Sequence, residues 1–221
     1  MLVNIDDSMK EEYKKLLILG AGGHAKVLID TFPFIYGVID NEYQDGDERD
    51  FMGKPIIGDD SFISHYGINH FQLINGIGSI KTMKARKNVY EKFPGFKFPV
   101  LISDKALVSR YVTIGAGTQV LHHALIQADV KIGENCIINT KATVSHDCVI
   151  GNHCHLAPSV TLSGGVTVGN ETHIGCGATV IQSIKIGSNV TIGAGTIVIR
   201  DVPDNCIVAG VPARIIYQKE I

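Results

Sequence analysis

The sequence predicts two joined architectures: a small α/β domain with a parallel βαβαβ sheet, then an all-β domain coiled as a parallel β-helix. Three observations predict them. From Ile114 to Val198 every sixth residue is Ile, Val or Leu, fifteen positions without a break. Two places before each aliphatic stands a residue that is usually small, such as Thr118, Ala124, Cys136, Ala142, Cys148 or Ala178. Before the repeat, short apolar runs alternate with helix-like segments, the first pair joined by a glycine-rich turn. A helix needs apolar residues at 3.6 spacing and a half-buried strand at 2, so a period of six fits neither alone. It fits a short strand and a corner, repeated, with glycine easing the turn one place after the aliphatic, as at Gly115, Gly133, Gly151, Gly169 and Gly187. Three hexads close a triangular coil, so Val112 to Asp201 makes about five coils, aliphatics inward and small residues in the corners.

Taken in order, residues 1–13 are a polar extension, and residues 14–100 hold the α/β domain. Lys15 to Leu19 reads as a buried strand, Gly20 to Ala25 as a turn, and Lys26 to Thr31 as a helix stopped before Pro33. Tyr36 to Ile39 is a second strand ending in Asp40-Asn41. An acidic loop with Asp45, Asp47, Glu48 and Asp50 then leads to Pro55-Ile-Ile-Gly58. Asp59 can cap a short helix reaching Tyr66. Phe71 to Asn75 is a third strand closed by Gly76-Ile77-Gly78, and Thr82 to Phe93 a helix ended by Pro94-Gly95. Strand alternating with helix argues for a parallel sheet. Residues 101–221 carry the β-helix.

The formal charge of -2 offers no electrostatic case for nucleic acid or an anionic membrane surface. No apolar run approaches a membrane span, and the first fifteen residues lack the apolar core of a signal peptide, so a cytoplasmic location is expected. The cysteines number five, and Cys136, Cys148 and Cys154 take the small inward position of the hexad. They read as small buried hydrophobes, not as a disulfide framework or metal ligands.

The turn Gly20-x-Gly22-x-x-Ala25 follows a strand and opens a helix, and Asp40 comes twenty residues after Gly20. A Rossmann-like phosphate-binding turn requires this context: backbone close to phosphate, a helix N-terminus toward it and an acid on a hydroxyl. Residues 14–100 suffice for one βαβαβ half, whereas a dinucleotide spans two. A mononucleotide or nucleotide-sugar is the better fit.

On these residues the chain resembles the hexapeptide-repeat acyltransferases, within them the bacterial nucleotide-sugar N-acetyltransferases and sialic acid O-acetyltransferases. The repeat looks like their left-handed parallel β-helix, closed by a Val208-Ala-Gly-Val-Pro-Ala-Arg214 stretch similar to the family's C-terminal signature. The left hand comes from the resemblance. In that group a Gly-Gly-His loop, an acidic pair and a later glycine motif hold the nucleotide. The matching residues are Gly22, Gly23 and His24, Asp40 and Asn41, and Gly76-Ile77-Gly78, with Lys26 reaching toward the phosphates. Asn41 departs from the pattern, an Asp being common there. The resemblance implies acetyl-CoA as co-substrate and no metal. It further implies a nucleotide-linked 4-amino sugar as acceptor, with UDP favoured, a role in glycan biosynthesis, and a homotrimer with sites between subunits.

Six of the nine histidines fall between His122 and His173. His146 stands two places after the inward Val144, at a solvent-facing corner, with Asp147 beside it. Acyl transfer gives such a pair a purpose, because an attacking amine must lose a proton and a neutral imidazole near pH 7 is well matched to take it. A neighbouring carboxylate fixes the tautomer and raises basicity. By resemblance His146 is the base and Asp147 its partner. His155 and His173 lie one coil apart and should stack. The resemblance gives His155 the acetyl end of the cofactor, the Gly164 backbone an oxyanion role, and Cys176 and Ala194 the pantetheine arm. Arg200 and Arg214 would face the 3′-phosphate. Cys148 and Cys154 point inward, which favours direct transfer in a ternary complex over an acyl-enzyme. Outward Val149 and Ile137 would suit a trimer.

Three rival readings share the prism. A gamma-class carbonic anhydrase would hold zinc with histidines such as His122, His123, His146, His153 and His155, but has no use for the nucleotide-like domain. A sialic acid O-acetyltransferase would keep the donor and change the acceptor. A non-enzymatic sugar-nucleotide sensor would not need the intact His–Asp pair.

Overall fold

In the computed structural model the described residues are 16–42, 49–66, 68, 70–79 and 82–219. The polar extension, Lys15 and the acidic positions Asp45, Asp47 and Glu48 lie outside them. The chain forms two compact units. One runs up to Gly78 and takes in Val89–Pro99; the other is Ser79–Asn88 with the chain from Val100 onward.

In the first unit the elements are β1 (Leu16–Leu19), α1 (Gly23–Thr31), β2 (Gly37–Ile39), β3 (Asp50–Phe51), β4 (Lys54–Gly58), α2 (Asp60–Tyr66) and β5 (Gln72–Asn75). All four side chains of β1 are buried, as the centre of a parallel sheet demands. β1 pairs in parallel with β2 and β5, and the sheet order is β3-β4-β2-β1-β5. Helix α1 starts at Gly23, three residues ahead of Lys26, because Gly22 takes the extended N-cap conformation and the glycines themselves enter the first turn. Asp59 caps α2 as expected, accepting the Ser61 N–H at 2.9 Å. β4 adds to β2 in parallel, and β3 folds back on it as a hairpin that the sequence reading missed. Its turn is Met52-Gly53, both with positive φ. Methionine is an unusual residue for that conformation, so the turn carried little signal.

Helix α3 (Lys84–Glu91) is shorter than the expected Thr82 to Phe93, and its residues up to Asn88 belong to the second unit. From β6 (Leu101–Ile102) to β22 (Ile197–Val198) follow two-residue strands, each paired in parallel with the strand one coil away. Thr143 lies beside Thr161, and Val144 beside Leu162. Three sheets result, the faces of a prism. From Val120 to Val198 all fourteen hexad aliphatics are buried in one core. Strand formation starts two hexads before Ile114, at Ile102 and Val108. Ile137, expected to face outward, is fully buried on the face that carries His155, over which Ser79 lies; Val149 is exposed.

The corners differ from expectation. The glycines one place after each aliphatic do not adopt positive φ. The left-handed residue lies two places further on, once per hexad from Gly117 to Gly195, and includes Asp129, Asn135, Asp147 and Asn189. The earlier glycines answer a different constraint. A Cβ on Gly169 would sit 2.5 Å from the Ser188 nitrogen and 2.6 Å from the Gly187 carbonyl carbon, and one on Gly115 would sit 2.7 Å from the Glu134 nitrogen. Glycine is there because the next coil leaves no room for a side chain.

Along the same edge, side chains stitch coil to coil. Asn152 Oδ1 accepts the Glu134 N–H at 2.9 Å, Asn170 Oδ1 that of Asn152 at 2.8 Å, and Asp204 Oδ1 that of Ser188 at 2.7 Å. The inward corner residues do likewise: Thr118 Oγ1 donates to the Gly133 carbonyl at 2.8 Å, and the Cys136 and Cys154 thiols to those of Gly151 and Gly169 at 3.1 Å. These cysteines stand in for threonine as small weak donors, and burial pushes the Cys148 and Cys154 thiols up.

The two glycine classes predict opposite responses. Gly169→Ala should cost about 1–3 kcal/mol through overpacking. Gly177→Asn, at φ +66 with open space around it, should cost under about 0.5 kcal/mol. Urea unfolding midpoints measure both, and equal losses would remove the steric account of the first class.

Candidate active site

His146 and Asp147 sit at the prism edge after Thr143–Val144, both about two-thirds exposed. Asp147 is the left-handed residue of its hexad (φ 62), a conformation Asp tolerates better than most side chains. The neighbouring coils hold this corner: Asp147 N–H donates to the Ala128 carbonyl at 3.2 Å, and Gly165 N–H to that of His146 at 2.9 Å. Gln127 Oε1 accepts the His146 N–H at 3.2 Å. His146 Nδ1 lies 2.7 Å from Asp147 Oδ2. An ionised carboxylate can only accept, so Nδ1 carries the proton and Nε2 the lone pair.

The imidazole lies over Gly164, one coil on. A Cβ there would be 2.6 Å from His146 Cε1 and 2.8 Å from Nε2. The Gly164 carbonyl accepts the Ser183 N–H at 2.9 Å, while its own N–H has no acceptor among the described residues. A basic nitrogen and an unused backbone donor therefore stand side by side.

His155 and His173 lie side by side one coil apart, as the spacing predicts, their rings edge to face with centroids 5.0 Å apart, but on a different face from the His146 edge, and His155 is buried. Ser79 Oγ bridges them, 2.6 Å from His155 Nδ1 and 3.2 Å from His173 Nδ1. The network fixes its own proton positions. Thr140 N–H donates to Asn139 Oδ1, so the Asn139 amide group presents Nδ2 to His155 Nε2 at 3.0 Å. Nε2 is then an acceptor, and His155 Nδ1–H donates to Ser79. Ser79 in turn donates to His173 Nδ1. In this arrangement the Ser79 hydroxyl is held between a donor, His155, and an acceptor, His173. Burial, with the Lys219 charge behind it, lowers the pKa of His173. The segment bearing Ser79 is fastened further by buried Arg86, whose Nε donates to the Asn135 carbonyl at 3.0 Å, and by a 2.8 Å ion pair between Lys87 and Glu171. Burial lowers the Arg86 pKa to about 9, so it stays charged at neutral pH.

Cys176 and Ala194 are exposed one coil apart, on the edge across the Thr143 face from His146. Arg200 and Arg214 border a cleft of about 350 Å³ near the end of the prism, with Ala213 and Ile215. His122, His146 and His153 fall on three separate edges, and no group of three or more potential ligands gathers to hold a metal among the described residues.

The first unit has a cleft of about 590 Å³ at the glycine turn, lined by Gly20, Ala21, Gly22, Asp40, Glu42, Arg49, Asp50, Phe51, Ile56 and Ile77. Gly20 has φ +90, and a Cβ there would strike Ile77. The Asp40 carboxylate holds the turn, Oδ2 accepting the Ala21 N–H at 2.8 Å and Oδ1 that of Glu42 at 2.9 Å. Asn41 points elsewhere, exchanging hydrogen bonds with Asp60 at the start of α2. Gly23, His24 and Gly78 do not line the cleft; a Cβ on Gly78 would lie 3.2 Å from His24 Cβ. Sequence reasoning missed Glu42, Arg49, Phe51 and Ile56, and in the prism Ser79, Gln127 and Asn139. Gln127 and Asn139 did carry a signal: they are amides in the hexad position that glycine usually takes.

The comparisons with known proteins divide at the same place. The PglD N-terminal domain family matches residues 15–93, and the bacterial transferase hexapeptide (six repeats) matches 111–146 and 129–164. Among solved structures, a mutant of perosamine N-acetyltransferase from Caulobacter crescentus in complex with CoA and GDP-perosamine is similar at TM-score 0.83 and 36% identity, covering 91% of this chain and 96% of that one. The acetyltransferase domain of PglB from Neisseria gonorrhoeae, in complex with acetyl coenzyme A, is similar at 0.82 and 34%, covering 92% and 99%. WeeI from Acinetobacter baumannii is similar at 0.80 and 25%, covering 91% and 99%. No curated protein matches the chain. The prism is the left-handed parallel β-helix of hexapeptide repeats.

Two expectations test this geometry. Gly164→Ala should push the His146 ring aside and lower kcat roughly a hundredfold with little change in melting temperature, because the exposed ring can swing away; undiminished kcat would separate Gly164 from the base. The depressed pKa of His173 means the unfolded chain binds more protons below the ordinary value of 6.5. Its contribution to stability is therefore present above that pH and lost as pH falls. Calorimetric melting from about pH 7.5 to about pH 5.5 should show a shallower decline in His173→Asn than in the parent. Parallel curves would show that the pair does not titrate with unfolding.

Proposed function

We propose that this chain, which belongs to the bacterial nucleotide-sugar N-acetyltransferases, uses His146 to deprotonate the amine of a nucleotide-linked 4-amino sugar as it attacks acetyl-CoA. It is an acetyltransferase carrying acetyl from acetyl-CoA to a sugar amine. The observation behind the residue assignment is the exposed His146–Asp147 pair at 2.7 Å with the Gly164 N–H beside it.

The chemistry follows from the tautomer. Asp147 holds the proton on Nδ1, leaving Nε2 to take one from the attacking nitrogen as the C–N bond forms. The thioester oxygen gains negative charge at that moment, and a backbone N–H such as that of Gly164 stabilises it. As the C–S bond breaks, the imidazolium returns its proton and coenzyme A leaves as thiol. Base catalysis of this kind is worth on the order of 10² to 10⁴ in rate. Transfer is direct in this reading, since Cys148 and Cys154 are buried.

In the first unit the glycine turn and the N-terminus of α1 are suited to a diphosphate. A Cβ on Gly22, which lines the cleft, would meet nothing within 4 Å, so packing does not require glycine there, and close approach of a ligand accounts for it. The Asp40 oxygens each keep a lone pair for a ribose hydroxyl. A UDP-linked amino sugar is our first choice of acceptor, with GDP, the nucleotide in the perosamine enzyme complex, the second. An acetyl-CoA donor suits a cytoplasmic reaction.

The site calls for a second copy. His146 with Gly164, and Cys176 with Ala194, run along opposite edges of one prism face, and His155 lies on another. Prisms packed side by side would bring the His146 edge of one to the Cys176 edge of the next, which supports a homotrimer with sites between subunits.

The test is thiol release from acetyl-CoA with UDP-, GDP- and dTDP-linked 4-amino sugars and free sialic acid. Rapid release is expected with one amino sugar only. His146→Ala should lower turnover about tenfold or more while acetyl-CoA affinity holds. A fully active variant would overturn the base, and release with sialic acid alone would overturn the acceptor.

A further inference from the structure

The cleft of the first unit is chemically divided. Part of its lining is the glycine turn with its backbone N–H groups, and part is apolar, from Phe51 and Ile56 of the β3–β4 hairpin. Phe51 is half-buried on a two-residue strand at the sheet edge, where packing makes little use of an aromatic ring. It is nevertheless held firmly. Phe51 pairs with Lys54 across the Met52-Gly53 turn, and Asp50 Oδ1 accepts the Gly53 N–H at 2.8 Å. Lys26, from the first turn of α1, brings its ammonium within 6.0 Å of the ring centroid, so a cation stands between the helix N-terminus and the aromatic. Arg49 stands two places before Phe51, and its Nη2 donates to the Glu42 carbonyl at 2.9 Å, which ties the hairpin to the strand end carrying Asp40.

A rigid, half-exposed ring in the same cleft as a phosphate-type turn, with polar side chains around it, matches the needs of a nucleobase: a flat apolar face to stack on and hydrogen-bonding groups at the edge. We propose that Phe51 is the platform on which the base of the nucleotide-sugar stacks, with Glu42, Arg49 and Asp50 meeting the base edge. This rests on the reading of the cleft as the nucleotide site. Stacking accepts any base, because every base has a π-face. Phe51 therefore contributes affinity, and the choice between uracil and guanine lies with the polar residues around it.

The chain contains no tryptophan, which makes the proposal directly observable. Phe51→Trp places a single indole at the platform. Titration of the full-length variant with UDP or GDP should quench its emission, whereas inorganic diphosphate should not. By calorimetry Phe51→Ala should weaken UDP and GDP by similar factors, about five- to a hundredfold, with the acceptor KM rising and the acetyl-CoA KM unchanged. Phe51→Leu should lose as much as Phe51→Ala, and Phe51→Tyr should keep affinity; rescue by leucine would show that the ring merely packs. If the parent protein binds nucleotide but Phe51→Ala binds it equally and the indole does not respond, the platform is wrong and the nucleotide site stands. If the parent binds no nucleotide, the reading of the cleft itself falls.

Discussion

Coil-to-coil stacking is the constraint from which the prism follows. Parallel pairing sets each residue beside the one eighteen places on, as Thr143 beside Thr161 and His155 beside His173. At strand separation the backbones leave no space for a Cβ at positions such as Gly115 and Gly169, so glycine is compulsory there. On the same edge Asn152, Asn170 and Ser188 spend their side chains on the backbone N–H groups of the preceding coil. Buried threonine and cysteine satisfy carbonyls that face the interior. Core, corners and edges are three consequences of one register.

The same register makes the His146–Asp147 pair. The hexad requires a left-handed residue at position 147, and Asp both tolerates that conformation and lands its carboxylate on the Nδ1 of the residue before it. The coil then places position 164 directly beneath the imidazole, where a side chain would displace it. A repetitive scaffold thus supplies tautomer, ring orientation and a backbone donor without a dedicated loop. The edges bear this variation because a side chain there points to solvent, whereas inward substitutions disturb a close-packed core.

Much of this was legible in the sequence. The aliphatic period fixes the coil, and an adjacent His–Asp at a corner stands out against aliphatic neighbours. What was hidden involves choices made by space more than by residue type. The left-handed position is held by Lys141, Glu171 and His123 as well as by Gly, Asn and Asp, so composition blurs it. The glycines that stood out were read as turns although their role is clearance. Ile137 alternates outward, yet it is buried on the face where Ser79 meets His155, and nothing in a local pattern announces a residue returning from more than fifty positions away. Asp40 was read as facing a ligand hydroxyl; that its two oxygens also hold backbone N–H groups of the turn and of Glu42 was not visible in the spacing.

That dual use of Asp40 bears on how the two ends of the chemistry are separated. The glycine turn is shaped by a carboxylate that the fold needs in any case, so this part of the cleft has little freedom to vary. The hairpin carrying Phe51 is an edge addition, joined to the sheet by β4 alone. Its residues can change without disturbing β1, whose side chains are all buried. The proposed donor site is similarly confined to prism edges fixed by the coil. On the proposed assignments, substrate choice is placed where the structural constraints are weakest, at a hairpin on the margin of the sheet, while the acyl transfer rests on positions that the eighteen-residue register leaves almost no liberty to move.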